Sequence, residues 1–273
     1  MRVAEPIFNS WKARLALHFD HEDNKTVLSR KHFDGPLVVQ KPFYPEGGAV
    51  CHAIVVHPPA GIAGGDELLL DVKNEPGTSV LLTTPGAGKW YRSAGAQASQ
   101  RLCFDVQGTL EWLPQETIVF DCALARMECE VSLGPKARYL GWEILCLGRT
   151  GSAEHLESGK VFLKTQVKRE QKPVWWECGE IEGGSRFMHS PAGLGGRTVC
   201  ATLVAAAPQI GAEILARCRE VEGVTVTLLP GLLLARHLGN SSEMAKQRFV
   251  ELWKILRPAV LGRKAEEPRI WRT

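Results

Sequence analysis

A period-two alternation of apolar and polar residues runs through much of this 273-residue chain and constrains its fold more than any other feature. In residues 13–20, alanine, leucine and phenylalanine occupy every second position, and mostly polar side chains lie between them. Residues 123–133 repeat the pattern. Because successive side chains of a β-strand point to opposite faces, both segments are predicted to be strands with one buried face.

Shorter segments with strand character follow one another closely, and Gly, Pro or Asn separates most of them. Besides the two segments above, strands are predicted at residues 26–31, 36–40, 52–57, 67–72, 78–84, 100–106, 109–113, 117–120, 137–146, 160–168, 173–177, 197–206, 224–229 and 231–237. Many short strands at close spacing favour a sandwich, a barrel or a solenoid. No repeat of fixed period is visible, so the residues alone do not favour a solenoid.

Two helices are predicted near the C-terminus. Pro208 suits the first position of a helix that includes residues 210–219. Ser241 or Ser242 can cap the second helix, and Pro258 is expected to end it. One face of that helix carries apolar side chains, namely Ala245, Phe249, Leu252, Trp253 and Leu256. No linker divides the chain, so a single domain spanning residues 1–273 is predicted.

Composition excludes several classes of protein. With 44% hydrophobic and 23% charged residues and a net charge of +3, the chain is globular and has no basic excess for nucleic acid. Its longest uncharged, mainly apolar run is shorter than the roughly 18 residues that a membrane span needs. Residues 1–8 lack the apolar core of a signal peptide, so the cytoplasm is expected. The eight cysteines form no Cys-x-x-Cys pair and are expected to be reduced thiols.

Residues 57–66, which read HPPAGIAGGD, form the segment richest in Gly and Pro. A strand arrives at His57, two prolines end its ladder, three glycines permit unusual backbone angles, and Asp66 follows. Such loops are often shaped for the close approach of another group. A tight connection, with His57 bound to backbone and Asp66 capping a turn, explains the segment equally well.

Residues 83–92, TTPGAGKWYR, superficially resemble a nucleotide-binding loop. A P-loop needs Gly at the position of Thr83 and Ser or Thr at the position of Trp90, so the pattern fails. The segment could instead bind an anion or a partner through Lys89, Tyr91 and Arg92, since Trp, Tyr and Arg dominate interface hot spots. An ordinary turn with Trp90 in the core is equally plausible.

Two glutamates lie in apolar surroundings. Glu143 interrupts GWEILCLGR, and Glu177 follows two tryptophans. A buried carboxylate is costly unless it is paired or ligates a metal, and Arg149 is the candidate partner for Glu143. Asp66 and Glu143 could alternatively form the acid/base pair of a hydrolase. No histidine metal motif and no nucleophile elbow is recognisable.

These and other segments, taken in order along nearly the whole chain, resemble the urease accessory protein family UreD, also called UreH. The resemblance is carried by Trp11, GPL (35–37), KPFYPE (41–46), Cys51-His52, residues 57–66, TPGAGKWYRS (84–93), EWLPQE (111–116), LCLGR (145–149), Trp253 with LRP (256–258), and PRIW (268–271). Their number and order, more than any single segment, carry the resemblance.

The resemblance implies a mainly β, two-layered, solenoid-like fold with two α-helices in the C-terminal half. It also implies a non-enzymatic role: docking on apo-urease with UreF and the GTPase UreG, and delivery of nickel through a water-filled internal tunnel. No tightly bound cofactor is expected, only nickel(II) in transit. Expected partner-binding residues are His57, Lys89, Trp90, Tyr91, Arg92, Phe249 and Trp253.

Weak binding is what a passage for nickel requires. Cys and His cages hold divalent nickel tightly, whereas carboxylate, carbonyl and water ligands hold it loosely. Isolated carboxylates are therefore the expected lining, and Asp66, Glu143 and Glu177 are the candidates. A hydrolase and a purely structural adaptor that never touches nickel are the alternative hypotheses.

The chain departs from the family pattern at two positions. Ala60 replaces the usual first Gly of the His-Pro-Pro-Gly-Gly stretch, and Ala153 replaces the Gly that usually precedes Glu154. If these positions need a positive φ, alanine costs about 1 kcal/mol relative to glycine.

Overall fold

The computed structural model describes residues 10–272. The expectation that no signal peptide is present concerns residues 1–8, which lie outside the described residues. Within 10–272 the strands are β1 (Lys12–Glu22), β2 (Lys25–Asp34), β3 (Val38–Val39), β4 (Cys51–Val56), β5 (Glu67–Asn74), β6 (Ser79–Thr83), β7 (Gly88–Trp90), β8 (Ala98–Val106), β9 (Thr109–Trp112), β10 (Thr117–Val119), β11 (Leu124–Leu133), β12 (Arg138–Leu147), β13 (Lys160–Arg169), β14 (Lys172–Glu182), β15 (Val199–Ala206), β16 (Thr225–Leu229) and β17 (Leu232–Gly239). The helices are α1 (Arg186–His189), α2 (Ala212–Arg219) and α3 (Ser242–Leu256), with a π turn at Arg257–Leu261 and 3-10 turns at Thr150–Ser152 and Arg269–Arg272.

The strands form two sheets. One has seven strands in the order β14-β13-β11-β8-β5-β1-β2, and the other runs β16-β17-β15-β12-β9-β6-β4-β3, with the short β10 and β7 beside it. From β4 to β13 the chain alternates between the sheets, apart from β7 and β10, and strands of neighbouring coils pair in parallel. This arrangement confirms the mainly β, two-layered, solenoid-like fold.

Side-chain alternation along β12 shows how the sheets build two cores. Tyr139 and Leu145 point between the two sheets and join the larger core. Trp142 and Ile144 point to the opposite face, where α2 and α3 cover the ten-stranded sheet. Because side chains alternate, Glu143 shares the inter-sheet face with Tyr139 and Leu145.

Helix α3 begins as predicted but does not end at its proline. Ser241 caps it by accepting the backbone N–H of Met244 at 3.2 Å. Pro258 lies inside the π turn that continues the helical path, and Gly262, at φ 68°, ends that turn. Proline lacks an N–H and crowds the preceding turn, and a wider turn relieves that crowding.

The other two helices differ from the sequence prediction. Helix α2 begins at Ala212 with Gly211 as its N-cap, so Pro208 lies outside it. Helix α1 is one turn long, too short for an amphipathic pattern to reveal. None of the helices within residues 10–272 is long and apolar enough to span a membrane.

Both alanines that depart from the family pattern have left-handed backbone angles. Ala60 has φ 62° and Ala153 has φ 54°. An L-residue with a Cβ is disfavoured there by contact with the carbonyl oxygen, whereas glycine is not. Both alanines therefore have the positive φ at which alanine is less favourable than glycine, and the two loops carry local strain.

We expect Ala60→Gly and Ala153→Gly each to raise the free energy of unfolding by about 0.5–1 kcal/mol, because relief of strain exceeds the added entropy of the unfolded chain. Urea denaturation of each variant and of the double variant measures this. Ala137→Gly, at a buried position of ordinary backbone conformation, is the control and should destabilise. A loss of stability in either loop variant would contradict the strain argument.

A buried ion-pair network joins the end of α3 to the sheets. Arg257 is 0% exposed and donates to Glu46 at 2.7 and 2.6 Å and to Glu111 at 3.0 Å. Trp253 donates to Glu111 at 2.7 Å, and His52 Nε2 lies 2.6 Å from Glu46. Because a buried charge without its partner is strongly destabilising, each member of the network depends on the others.

The network shifts the titration of its two carboxyls in opposite directions. Burial raises the pKa of Glu46, but hydrogen bonds from His52 and Arg257 and the charge of Arg257 outweigh burial and lower this pKa to about 2. Burial raises the pKa of Glu111, although Arg257 and Trp253 donate to it. Ionised Glu46 therefore stabilises the fold above its ordinary pKa of 4.5, and this contribution is lost as the pH falls from 4.5 towards 2.

Glu46→Gln should therefore lower the free energy of unfolding by about 3 kcal/mol at neutral pH, and the difference from wild type should shrink as the pH approaches about 3. Urea denaturation across this range is the measurement. Glu67→Gln is the control, because its exposed pair with Lys12 contributes little. A deficit that is the same at every pH would show that Glu46 stabilises by packing alone.

Candidate functional site

A cavity of about 1020 Å³ lies between the two sheets. Strands β8, β11, β13 and β14 of one sheet and β12, β15 and β17 of the other contribute to its walls, as do loops after β4 and β6. Much of the lining is apolar. The lining side chains that can carry charge or bind a metal include His57, Cys129, Glu143, Glu177, Cys200 and Arg236.

Glu143 lines this cavity from β12. Thr117 is its hydrogen-bond partner, with Oγ1 3.4 Å from Oε1. Burial raises the pKa of Glu143, and the Thr117 hydroxyl offsets this only in part. Arg149, the candidate partner from sequence, pairs with Glu154 at 2.5 Å instead, so that expectation is corrected. Among the ion pairs of residues 10–272, none includes Glu143.

Glu177 lines the same cavity from β14 but is paired. Arg236 of β17 donates to its Oε1 at 2.6 Å, and the side chains of the two are 36% and 44% exposed. The Arg236 guanidinium also lies 6.0 Å from the centre of the Trp175 ring. The sequence offered no sign of this partner, because 59 residues separate the two.

Asp66 has a structural position. It is 2% exposed, and its oxygens accept the backbone N–H groups of Trp11 at 2.7 Å and Ala63 at 2.8 Å. It is not among the residues that line the cavity. The expectation that Asp66 faces a nickel passage is therefore corrected: its carboxylate fastens the start of β1 to the glycine-rich loop.

The two glycine-rich segments of the sequence pack against each other. Ile62 donates its N–H to the carbonyl of Lys89 at 2.7 Å, and Tyr91 donates to the carbonyl of Ile62 at 2.9 Å. A Cβ on Gly61 would lie 2.1 Å from the Tyr91 ring, so only glycine permits this approach. Between them the segments contribute His57 and Lys89 to the cavity wall.

His57 has one unsatisfied ring nitrogen. Its Nε2 is buried and without a hydrogen-bond partner in the described part of the chain. Burial lowers the pKa of His57, and the charge of Asp66 opposes this shift. The imidazole is therefore predominantly neutral at neutral pH, the form in which it can act as a ligand.

The expected partner-binding residues divide into two groups. Arg92 is exposed, and Lys89 and Tyr91 are half-buried, so these remain accessible. Phe249 and Trp253 are 0% exposed beneath α3, and this corrects the expectation that they contact a partner directly. Trp90 is also buried and therefore belongs with Phe249 and Trp253.

Trp90 is 2% exposed, and its backbone forms an isolated parallel β-bridge with Ile62. Its indole packs in the inter-sheet core. The alternative interpretation of residues 83–92, with this tryptophan in the core, is thus the one that the structure supports.

Three lining thiols were missed by sequence reasoning, namely Cys129, Cys178 and Cys200. Cys129 on β11 and Cys200 on β15 face the cavity from opposite sheets. Burial raises the pKa of both thiols, that of Cys200 to about 12. Strand alternation could have placed each on an inward face, but only the structure shows that the two faces meet at Glu143.

In the described part of the chain, one set of three His, Cys, Asp or Glu side chains is close enough to hold a metal ion, and it lies outside the cavity. His18 Nε2 is 3.2 Å from an oxygen of Asp20 and of Glu75. Arg30 lies 2.9 Å from His18, and Lys73 pairs with Glu75 at 3.3 Å. These cations already neutralise the set.

The arrangement suits transient contact with a cation better than acid/base catalysis. Asp66 and Glu143 are not brought together, because only Glu143 lines the cavity. The acid/base pair of the hydrolase hypothesis is therefore absent. The cavity offers a protonatable carboxyl at Glu143, raised-pKa thiols at Cys129 and Cys200, and the arginine-paired Glu177. Further charged lining residues are Lys89, Glu128, Lys164 and Glu180.

Fold and cavity define a class: a two-layered, solenoid-like β protein with a cavity between its sheets. A family model described as UreD urease accessory protein matches residues 12–272. Urease accessory protein UreD of Dechloromonas aromatica (strain RCB) is 53% identical over 274 residues, covering 97% of this chain and 95% of the relative. The protein of the same name from Azoarcus sp. (strain BH72) is 47% identical over 280 residues, covering 100% and 97%. The chain belongs to the UreD family of urease accessory proteins, which confirms the resemblance.

Asp66→Ala should lower the free energy of unfolding by about 1–3 kcal/mol, because the backbone N–H groups of Trp11 and Ala63 lose their acceptor. Urea denaturation measures the change. The control is Asp71→Ala, since Asp71 lies on the neighbouring β5 and pairs with the exposed Arg14. Unchanged stability combined with reduced nickel delivery would reinstate Asp66 as a passage residue.

Proposed function

We propose that this chain is a non-catalytic scaffold of urease maturation that passes nickel(II) through the cavity between its sheets. It docks on apo-urease together with UreF and the GTPase UreG. Membership of the UreD family supports the accessory role, and the family resemblance supports the partners. Nickel is cargo in this proposal, and no tightly bound cofactor is part of it.

Glu143 is the observation that carries the proposal. It is a carboxyl on the wall of an internal cavity, with a hydroxyl for its hydrogen-bond partner. Ionisation there is unfavourable while the cavity holds no cation, which is why burial raises its pKa. An entering divalent cation reverses this balance, because it supplies the missing opposite charge.

Release of nickel depends on the same balance between the protonated and the cation-bound forms of Glu143. Nickel displaces the Glu143 proton on arrival, and the carboxyl takes a proton back when nickel leaves. The thiols of Cys129 and Cys200 have raised pKa values and stay protonated, so they do not form the tight thiolate cage that would trap nickel. A neutral His57 and a paired Glu177 extend the set of weak ligands along the same cavity.

The exposed part of the glycine-rich segments is the proposed docking face. Arg92 is exposed and adjoins the half-buried Tyr91 and Lys89 in the second of the two packed loops. Arg and Tyr are typical anchors of protein interfaces. The cytoplasm is the proposed compartment, since its reducing conditions suit eight free cysteines.

A purely structural adaptor is the alternative that the cavity disfavours. An adaptor gains nothing from Glu143, whose burial without a cationic partner destabilises the fold. A hydrolase is disfavoured because Asp66 is occupied by backbone N–H groups.

Glu143→Gln should leave assembly with the partners intact and lower the nickel content of urease at limiting nickel by about fivefold, the effect of losing one charge contact with the cation. The variant is nearly isosteric and removes only the ionisable group. Co-expression with a urease operon, followed by pull-down and by nickel analysis of the purified urease, measures both quantities.

Glu130→Gln is the matched control. Glu130 lies on β11, pairs with Lys168 on the outer face of the sheet, and should leave nickel loading unchanged. Equal nickel loading of wild type and Glu143→Gln at limiting nickel would make the adaptor the better hypothesis. Loss of assembly and of nickel together would show that Glu143 is structural.

A further inference from the structure

The last strands of the two sheets lie beside each other at one end of the solenoid. Strand β14 is the end strand of the seven-stranded sheet, and β17 lies next to the end strand β16 of the other sheet. Both β14 and β17 line the inter-sheet cavity. Within residues 10–272, helix α1 and the loop at 190–196 cross from β14 to β15 at this end, and Phe187, Gly193 and Leu194 line the cavity beside the side chains of β14 and β17.

One ion pair spans the gap between the sheets. Glu177 of β14 and Arg236 of β17 meet at 2.6 Å, and among the ion pairs of the described residues theirs is the one that joins a strand of one sheet to a strand of the other. Both side chains are more than a third exposed, although both line the cavity. They therefore lie where the cavity meets solvent.

Cys200 lies just behind this pair. Arg236 pairs in register with Thr202 on β15, and Cys200 is two residues further along the same inward face. Both Arg236 and Glu177 act electrostatically on the Cys200 thiol, Arg236 lowering its pKa and Glu177 raising it, while burial dominates. Anything that reaches Cys200 from this end passes the ion pair.

We propose that the Glu177–Arg236 pair is the gate of the cavity: closed when the two side chains bridge the sheets, and open when they separate. A divalent cation entering here meets the Arg236 charge first and must displace it from Glu177 to gain a ligand. The gate thereby couples entry of a cation to the breaking of one ion pair. As a route for nickel, this inference rests on the proposed function.

A partly exposed ion pair is weak enough for such a device. Pairs of this kind change an equilibrium by roughly fivefold or less, so the open state is readily populated. The Trp175 ring lies 6.0 Å from the guanidinium in this paired arrangement, and its cation–π contact can hold the Arg236 charge when Glu177 moves away.

Thiol labelling tests the gate without nickel. Arg236→Met keeps most of the side-chain volume and removes the ion pair. Labelling with N-ethylmaleimide, followed by peptide mass spectrometry, should show Cys200 and Cys129 reacting about two- to fivefold faster than in wild type. Electrostatics alone predicts the opposite for Cys200, because losing Arg236 favours the unreactive thiol.

Internal and external controls accompany this measurement. Cys103, in the groove on the outer face of the seven-stranded sheet, should react at an unchanged rate. Arg248→Met is the matched variant, because Arg248 pairs with Glu251 on the solvent side of α3. Unchanged labelling of Cys200 and Cys129 in Arg236→Met, or equal acceleration of Cys103, would overturn the gate.

Nickel loading separates this inference from the proposed function. In co-expression at limiting nickel, Arg236→Met leaves a free carboxylate at the entrance and should raise nickel per urease, whereas Glu177→Gln leaves a free guanidinium and should lower it. Opposite signs support a gate used by nickel. If labelling responds but neither variant changes nickel loading, the gate stands and the nickel passage is wrong. If nickel loading changes without faster labelling, the gate is wrong.

Discussion

Arg257 holds together parts of the chain that would otherwise have no reason to meet. Its guanidinium is fully buried and bonds Glu46, which precedes β4, and Glu111, which lies on β9. Trp253 of α3 adds a hydrogen bond to Glu111. The network therefore fixes α3 on the outer face of the ten-stranded sheet, and that cover is what makes the sheet buried on both sides.

A sheet buried on both sides has consequences for the cavity. In β12, even-numbered side chains such as Trp142 pack under the helices, so odd-numbered ones must face the other sheet. Tyr139 and Glu143 are thereby directed into the space between the layers. Glu143 is half-buried in this wall, and burial raises its pKa.

Local pattern determined most of the strands and the position of α3, because alternation and a serine cap act over a few residues. The departure from the family pattern, in contrast, pointed to a backbone cost at Ala60 if its φ was positive, and its φ is 62°. Local pattern could not pair Glu177 with Arg236 or separate Asp66 from the cavity, since both depend on how distant coils stack. Burial of Phe249 could not be predicted either, because an apolar helix face has the same sequence pattern whether it covers the chain's own sheet or a partner.

The part of the cavity wall formed by Glu143, Cys129, Cys200 and the Glu177–Arg236 pair carries little net charge when no cation is present. Glu143 favours its protonated form, the thiols of Cys129 and Cys200 are neutral, and Glu177 is balanced by Arg236. A space bounded by apolar walls is stable in this state, because no uncompensated charge is buried. In the proposed passage, Glu143, the two thiols and Glu177 must each give up a proton or an ion-pair partner before they bind a cation, and each recovers it on release. For the proposed passage of nickel, the free energy that stabilises these groups without a cation is therefore the free energy that opposes its binding.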